Sequence, residues 1–104
     1  MNPMVIIARA IIEAFMKRSP LSASALNDWY FKTKKADWSN LNEIKQVFPS
    51  CDYVGSDRYV FNIGGNNYRL IAMIHFTRRT LYIRGIFTHS EYDELGKKGG
   101  IVTL

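Results

Sequence analysis

The sequence predicts an α+β domain, with an N-terminal strand and helices packed on one face of a small, mainly antiparallel sheet and a short C-terminal helix. Three observations carry this. Apolar residues recur at helical spacing through most of the first half of the chain, to about residue 48. From Arg58 the period changes to two, interrupted only by the turn material Gly64-Gly65-Asn66-Asn67 and Arg78-Arg79. Thr88-His89-Ser90-Glu91 is then a capping-box pattern, which opens a final helix.

Taken in order, residues 4–8 are apolar and β-branched, so they start either a strand or a helix; a strand running into a helix over about 9–18 fits best. Ser19-Pro20 restarts the chain, serine as N-cap and proline at the first helical position. Leu21, Ala25, Trp29 and Tyr30 then mark a helix to about residue 34. Lys32, Lys34 and Lys35 crowd its last turn, where cations suit the helix dipole. Asn40 and Glu43 resemble a capping box for a third helix, with Leu41, Ile44, Val47 and Phe48 as its apolar stripe and Pro49 as its stop. Residues 51–57 read as a loop ending in Gly55-Ser56-Asp57. Strands follow at about 58–63, 67–76 and 80–87. The last helix runs to about Leu95 and is stopped by Gly96, then Gly99-Gly100, leaving 97–104 loose or as a short extension.

At 104 residues the chain is expected to be one domain spanning 1–104. Fourteen Lys/Arg against nine Asp/Glu give a net charge of +5, which draws polyanions such as nucleic acid, or acidic proteins. The charge could also serve solubility alone. Cys51 is the only cysteine, which excludes an internal disulfide and a cysteine-based metal cluster and points to a cytoplasmic home. With no basic neighbour it reads as a small structural residue. Arg9 cuts the apolar run at 4–8 too short for a signal peptide or membrane span, so no membrane is implied.

Pairing Ile63 with Tyr68 sets Phe61 against Leu70 and Tyr59 against Ala72. Turning at Arg78-Arg79 with Phe76 against Leu81 sets Ile74 against Ile83, Ala72 against Gly85 and Leu70 against Phe87. The face shared by these residues is almost wholly apolar and belongs against helices. The other face carries Arg58, Val60, Asn62, Arg69, Ile71, Met73, His75, Tyr82, Arg84, Ile86 and Thr88, and its apolar members need cover from a helix or a partner.

On that face Asn62 is expected beside Arg69, and Arg69 beside Thr88, whose helix brings His89 and Tyr92 to the same end. Arg84 lies four residues back, roughly 13 Å at ~3.3 Å per residue. His75 falls near the opposite end and reads as structural. The convergent set suits a phosphodiester: arginine offers a fork of donors, histidine or tyrosine moves a proton, and a helix N-terminus offers amides. An RNA substrate brings its own 2′-hydroxyl, so no metal and no cofactor is required. Ordinary salt bridges of Arg69 and Arg84 with Asp57, Glu91 or Asp93 are the equal alternative.

Across about residues 38–95 the chain resembles the HigB toxins of bacterial toxin–antitoxin systems. The resemblance is carried by Val47-Phe48-Pro49-Ser50, by the run from Tyr59 through Phe61-Asn62-Ile63-Gly64-Gly65-Asn66-Asn67-Tyr68-Arg69-Leu70 to Ile71, by Tyr82-Ile83-Arg84 and by Thr88-His89-Ser90-Glu91-Tyr92-Asp93. It implies a RelE-like fold with a basic cleft on the open sheet face, a messenger-RNA endonuclease acting at the ribosome, and a HigA-like helix-turn-helix antitoxin as partner. It implies that Arg69 contacts the scissile phosphate and that His89 and Tyr92 stand where such toxins keep a catalytic basic residue and a tyrosine. RelE proper carries two lysines on the strand before the turn, where this chain has Val60 and Asn62. Arg58, Arg84 and His89 must then supply that charge.

The expected site is therefore Arg69, His89 and Tyr92 as catalytic groups, with Asn62, Arg84 and Arg58 holding RNA. A non-catalytic RNA- or ribosome-binding module is the competing reading, and a basic adaptor for an acidic protein is a third.

Overall fold

In the computed structural model, which describes residues 3–104, the two sequence periods become two layers. The elements are β1 (Val5–Ile7), α1 (Arg9–Arg18), a 3-10 turn (Pro20–Ser22), α2 (Ala23–Lys35), α3 (Leu41–Val47), β2 (Asp52–Gly55), β3 (Arg58–Ile63), β4 (Tyr68–His75), β5 (Thr80–Thr88), α4 (His89–Lys97) and a second 3-10 turn (Ile101–Thr103). The strands form one sheet in the order β1-β5-β4-β3-β2. Only β1 against β5 is parallel. Among the described residues no helix is long and apolar enough to cross a membrane.

The first three helices cover one sheet face, and Phe61 is the centre of the contact. Its ring meets Trp29 edge-on at 5.4 Å, Phe48 edge-on at 5.5 Å and Trp38 stacked at 6.3 Å. Leu26, Ile44, Leu70 and Leu81 fill the same core without solvent contact. Cys51 is sealed there too, and burial pushes its thiol up to about 12, which leaves it inert at neutral pH.

Several expectations for the helical half are corrected. Ser19 is not a side-chain cap; its hydroxyl shares a hydrogen bond with the Tyr68 hydroxyl at 3.1 Å. Pro20 opens a 3-10 turn, whose tighter pitch shifts the phase of α2. The buried stripe is thus Leu26, Trp29 and Thr33, while Leu21 is 91% exposed. At α3, Asn40 accepts from the Glu43 amide as expected, but the Glu43 carboxylate reaches back to the Ser39 amide. Val47 points outward. Residues 52–55, expected as loop, form β2, whose Asp52 and Tyr53 pair with Val60 and Tyr59. This strand satisfies the edge that β3 would otherwise expose, and Tyr53 packs its ring 5.0 Å from Tyr59.

The β3–β4 hairpin has the expected register, Ile63 to Tyr68 and Phe61 to Leu70. Gly64 and Gly65 take the positive φ values of 61° and 68° that its turn requires. The β4–β5 pair does not follow expectation. His75 pairs with Thr80 and Ile74 with Leu81, and a bulge falls where Ala72 faces Ile83 but Ile71 faces Gly85. Arg84 is the extra residue. One inserted residue exchanges the faces beyond it. Ile86 therefore enters the core opposite Leu70, while Gly85 and Phe87 turn to the outer face, and Arg69 lies beside Phe87, not Thr88.

The outer face is partly covered. Val60 and Ile71 are buried there, at 4% and 0% exposure. The cover is a helix, as one of the two expected options required: α4 packs on β4 and β5. It passes through Gly96 instead of stopping there, and the positive-φ Gly99 follows its end. The chain beyond it is the short extension, not a loose tail. Val102 approaches Gly55 of β2, and Arg58 donates to the Leu104 carbonyl at 2.6 Å.

Candidate functional site

Arg69 is the most unusual residue of the outer face. It is 9% exposed, yet among the described residues no carboxylate pairs with it. Burying a charge without a counter-charge is costly unless its hydrogen bonds are met. Two backbone carbonyls meet part of that need: Nη1 donates to Asn66 O and to Tyr68 O, each at 3.1 Å. The face of the Tyr92 ring lies 5.7 Å from the guanidinium carbon, a cation–π distance. Nε and Nη2 find no acceptor among the described residues, so one edge of the donor fork is left for a ligand.

The hairpin turn builds this arrangement. Its register places Asn62 directly across from Arg69. Asn62 Nδ2 lies 3.4 Å from Asn66 Oδ1, so the Asn66 side chain steadies Asn62 while its carbonyl steadies Arg69. Asn66 was not picked out from sequence as a site residue. Its place in a turn asparagine pair was the available signal.

α4 supplies Tyr92 and His89. Tyr92 is half-buried, and its phenol is held above the ordinary tyrosine value by burial, with Arg69 opposing and Asp52 and Asp93 adding to the rise. It therefore keeps its proton. His89 stands at the exposed rim, with Nδ1 3.8 Å from Asp93 Oδ1 and its amide donating to Asn67 O at 3.1 Å. Among the described residues its ring makes no hydrogen bond or ring contact with Arg69, though both residues are tied to the same turn, through Asn67 and Asn66.

The start of α4 is not an open anion site, contrary to expectation. Thr88 and Glu91 complete a capping box, Glu91 N to Thr88 Oγ1 at 3.2 Å and Thr88 N to Glu91 Oε1 at 2.9 Å. The Glu91 carboxylate also holds Arg18 at 2.6 Å. The Arg18 hydrogen bond, then the Thr88 amide, depress its pKa and keep it charged. The amides of Thr88, His89 and Glu91 are consumed, and a negative charge stands where an anion would have to enter.

The salt bridges that were the equal alternative for Arg69 and Arg84 are absent among the described residues: Glu91 takes Arg18, Asp93 faces His89, and Arg84 is exposed at the bulge without an ion pair. Arg58 is held elsewhere. It pairs with Met73, four residues along β4 from Arg69, and its guanidinium is bound to Ser56 O, Met73 Sδ and Leu104 O. Thus Arg69, Tyr92 and Asn62 are brought together, His89 stands at their edge, Arg84 lies along the same face, and Arg58 is separate. Phe87, which lies beside Arg69, was assigned to the core from sequence and joins the outer face through the bulge.

Comparison with known proteins places the chain among relatives with one described role. A family model described as HigB toxin, RelE-like toxic component of a toxin–antitoxin system, matches residues 22–95. The chain is 36% identical over 94 residues to the mRNA interferase HigB of Escherichia coli O6:H1, covering 88% of this chain and 91% of that protein. It is 49% identical over 53 residues to the mRNA interferase toxin HigB of Escherichia coli K12, covering 48% of this chain and 50% of that protein.

Proposed function

The chain belongs to the HigB toxin family, and on that premise we propose that it is an endoribonuclease that cuts messenger RNA in the cytoplasm, as one toxin domain. The observation that carries the reading is the buried Arg69, without a carboxylate partner and laid on Tyr92.

The reaction is attack of an RNA 2′-hydroxyl on the neighbouring phosphorus. The new O2′–P bond forms, the P–O5′ bond breaks, and a 2′,3′-cyclic phosphate and a 5′-hydroxyl result. Arg69 holds the non-bridging oxygens through Nε and Nη2 and stabilises the charge of the phosphorane. His89, steadied by Asp93, takes the proton of the 2′-hydroxyl. Tyr92, whose phenol stays protonated, gives a proton to the leaving 5′-oxygen. Asn62 positions the phosphate beside Arg69, and Arg84 holds the strand further along the face. Arg58, bound to the C-terminal segment, takes no part in this scheme unless that contact opens.

The partners that follow are messenger RNA on the ribosome and a HigA-like helix-turn-helix antitoxin. The test is induced expression with and without Arg69→Ala and His89→Ala. Wild type is expected to arrest translation and leave cut messages with cyclic phosphate ends. Both variants should lose cutting by about two orders of magnitude or more. Fully toxic variants would remove the assigned site. Translation arrest over intact messages would favour a module that grips RNA without cutting.

A further inference from the structure

The half of the outer face beyond Arg69 has features that the cutting chemistry does not use. On β4 and β5 it presents His75 and Tyr82, their rings edge-to-face at 5.8 Å, both half-exposed. Beside them Arg84 is exposed. None of the His75 ring nitrogens, the Tyr82 hydroxyl or the Arg84 guanidinium has a hydrogen-bonding or ionic partner among the described residues. A histidine kept for structure spends its ring nitrogens on neighbours. His75 does not, which argues against the structural role its position first implied.

The face is also continuous with the site. Arg69 lies beside Phe87, and the Phe87 ring lies over Gly85, so close that a Cβ there would be 2.7 Å from it. Tyr82 pairs with Met73, four residues from Arg69, or roughly 13 Å along the strand at ~3.3 Å per residue. Phe87 beside the phosphate anchor and the Tyr82–His75 pair farther along thus share one outer face, with the unpaired Arg84 between them. Single-stranded nucleic acid is bound by such surfaces, rings for the bases and cations for the backbone.

Resting on the ribonuclease reading, we propose that Tyr82 and His75 form a base-stacking subsite for the nucleotides flanking the scissile phosphate, with Arg84 holding their backbone. The subsite sets how the strand lies across Arg69, and the unpartnered edges of His75 and Tyr82 give it a means to prefer particular bases. An acidic protein segment is the competing occupant. The unpaired Arg84 and the half-exposed rings fit flat bases better than a run of carboxylates.

The test compares RNA oligonucleotides with a 2′-deoxy sugar at the cut position: a dinucleotide, and the same dinucleotide extended on its 5′ or its 3′ side. Binding is read by fluorescence anisotropy on the full chain. Wild type should bind one extended form more tightly than the dinucleotide. Tyr82→Leu and His75→Ala should each lose on the order of ten-fold of that gain while binding the dinucleotide unchanged, and Tyr82→Phe should keep it. Arg84→Ala should lower the salt dependence of the extended form by about one backbone contact. Equal binding of short and long forms by wild type, including none by either, overturns the subsite, as does an undiminished gain in Tyr82→Leu. Loss of antitoxin binding in Tyr82→Leu with the RNA gain intact would assign the face to protein instead. Failure of the anchor reads differently: Arg69→Ala would then bind the dinucleotide as wild type does.

Discussion

Arg69 and Tyr92 act as a pair, and each constrains what a substitution does. Tyr92→Phe keeps the ring against the guanidinium but removes the proton. RNA binding should be retained while single-turnover cleavage falls about 10²- to 10⁴-fold, the usual worth of a general acid. Arg69→Lys should not rescue Arg69→Ala, because a point charge cannot reproduce a fork that bonds two carbonyls and keeps an edge free for the proposed phosphate. Cys51 gives a complementary test of burial. With its thiol sealed in the core and held near 12, alkylating reagents should modify it only when the protein unfolds, followed by mass spectrometry across a denaturant series. The residue types of the site were readable from the chain alone, since turn glycines fix the hairpin and the hairpin sets Asn62 against Arg69. The burial of Arg69 was not, because it depends on the path of α4 over the sheet, which no local pattern encodes.

At the scale of elements, the bulge in β5 decides which residues line the face. Both registers place aliphatic side chains against the helices, so alternation did not reveal that Arg84 is inserted; the turn at residues 76–79 offered no stronger cue. β2 escaped notice for a related reason: four residues on an edge, two of them exposed, carry too little alternation. Gly85 is where the bulge can be probed. Gly85→Ala should push the Phe87 ring off the strand and cost about 1 kcal/mol or more, seen as a lower denaturation midpoint with displaced Phe87 ring resonances. α4 is sensitive to acid through Glu91. Its folded pKa lies below its unfolded one, so its contribution is whole above the ordinary carboxylate value and fades as pH falls through the depressed one. Glu91→Gln should therefore be less stable than wild type near neutrality, with the gap closing in acid; a gap independent of pH would detach the effect from the charge. Because the Glu91 side chain is 41% exposed, screening keeps the gap small.

For the whole molecule, the core around Phe61 sets stability and the outer face carries the proposed site, with the sheet between them. Phe61→Ala should cost about 3–5 kcal/mol in equilibrium unfolding, since Trp29, Trp38 and Phe48 all close on that ring. The layer arrangement was legible because the switch of period at Arg58 separates helices from strands. The place of the segment after α4 was not, since residues 98–104 show no periodicity and are ordered only by what they touch at Gly55 and Arg58.

The parallel pairing of β1 with β5 also puts an order on events in time. Val5 lies against Thr80 and Ile7 against Tyr82. During synthesis the first strand emerges long before its neighbour, and at about 5–20 residues per second it waits several seconds for a partner. The sheet that aims Arg69 closes its far edge only when β5 arrives, and Tyr92 follows β5 in the chain. The pairing of Arg69 with Tyr92 thus cannot form until both β5 and α4 have been made.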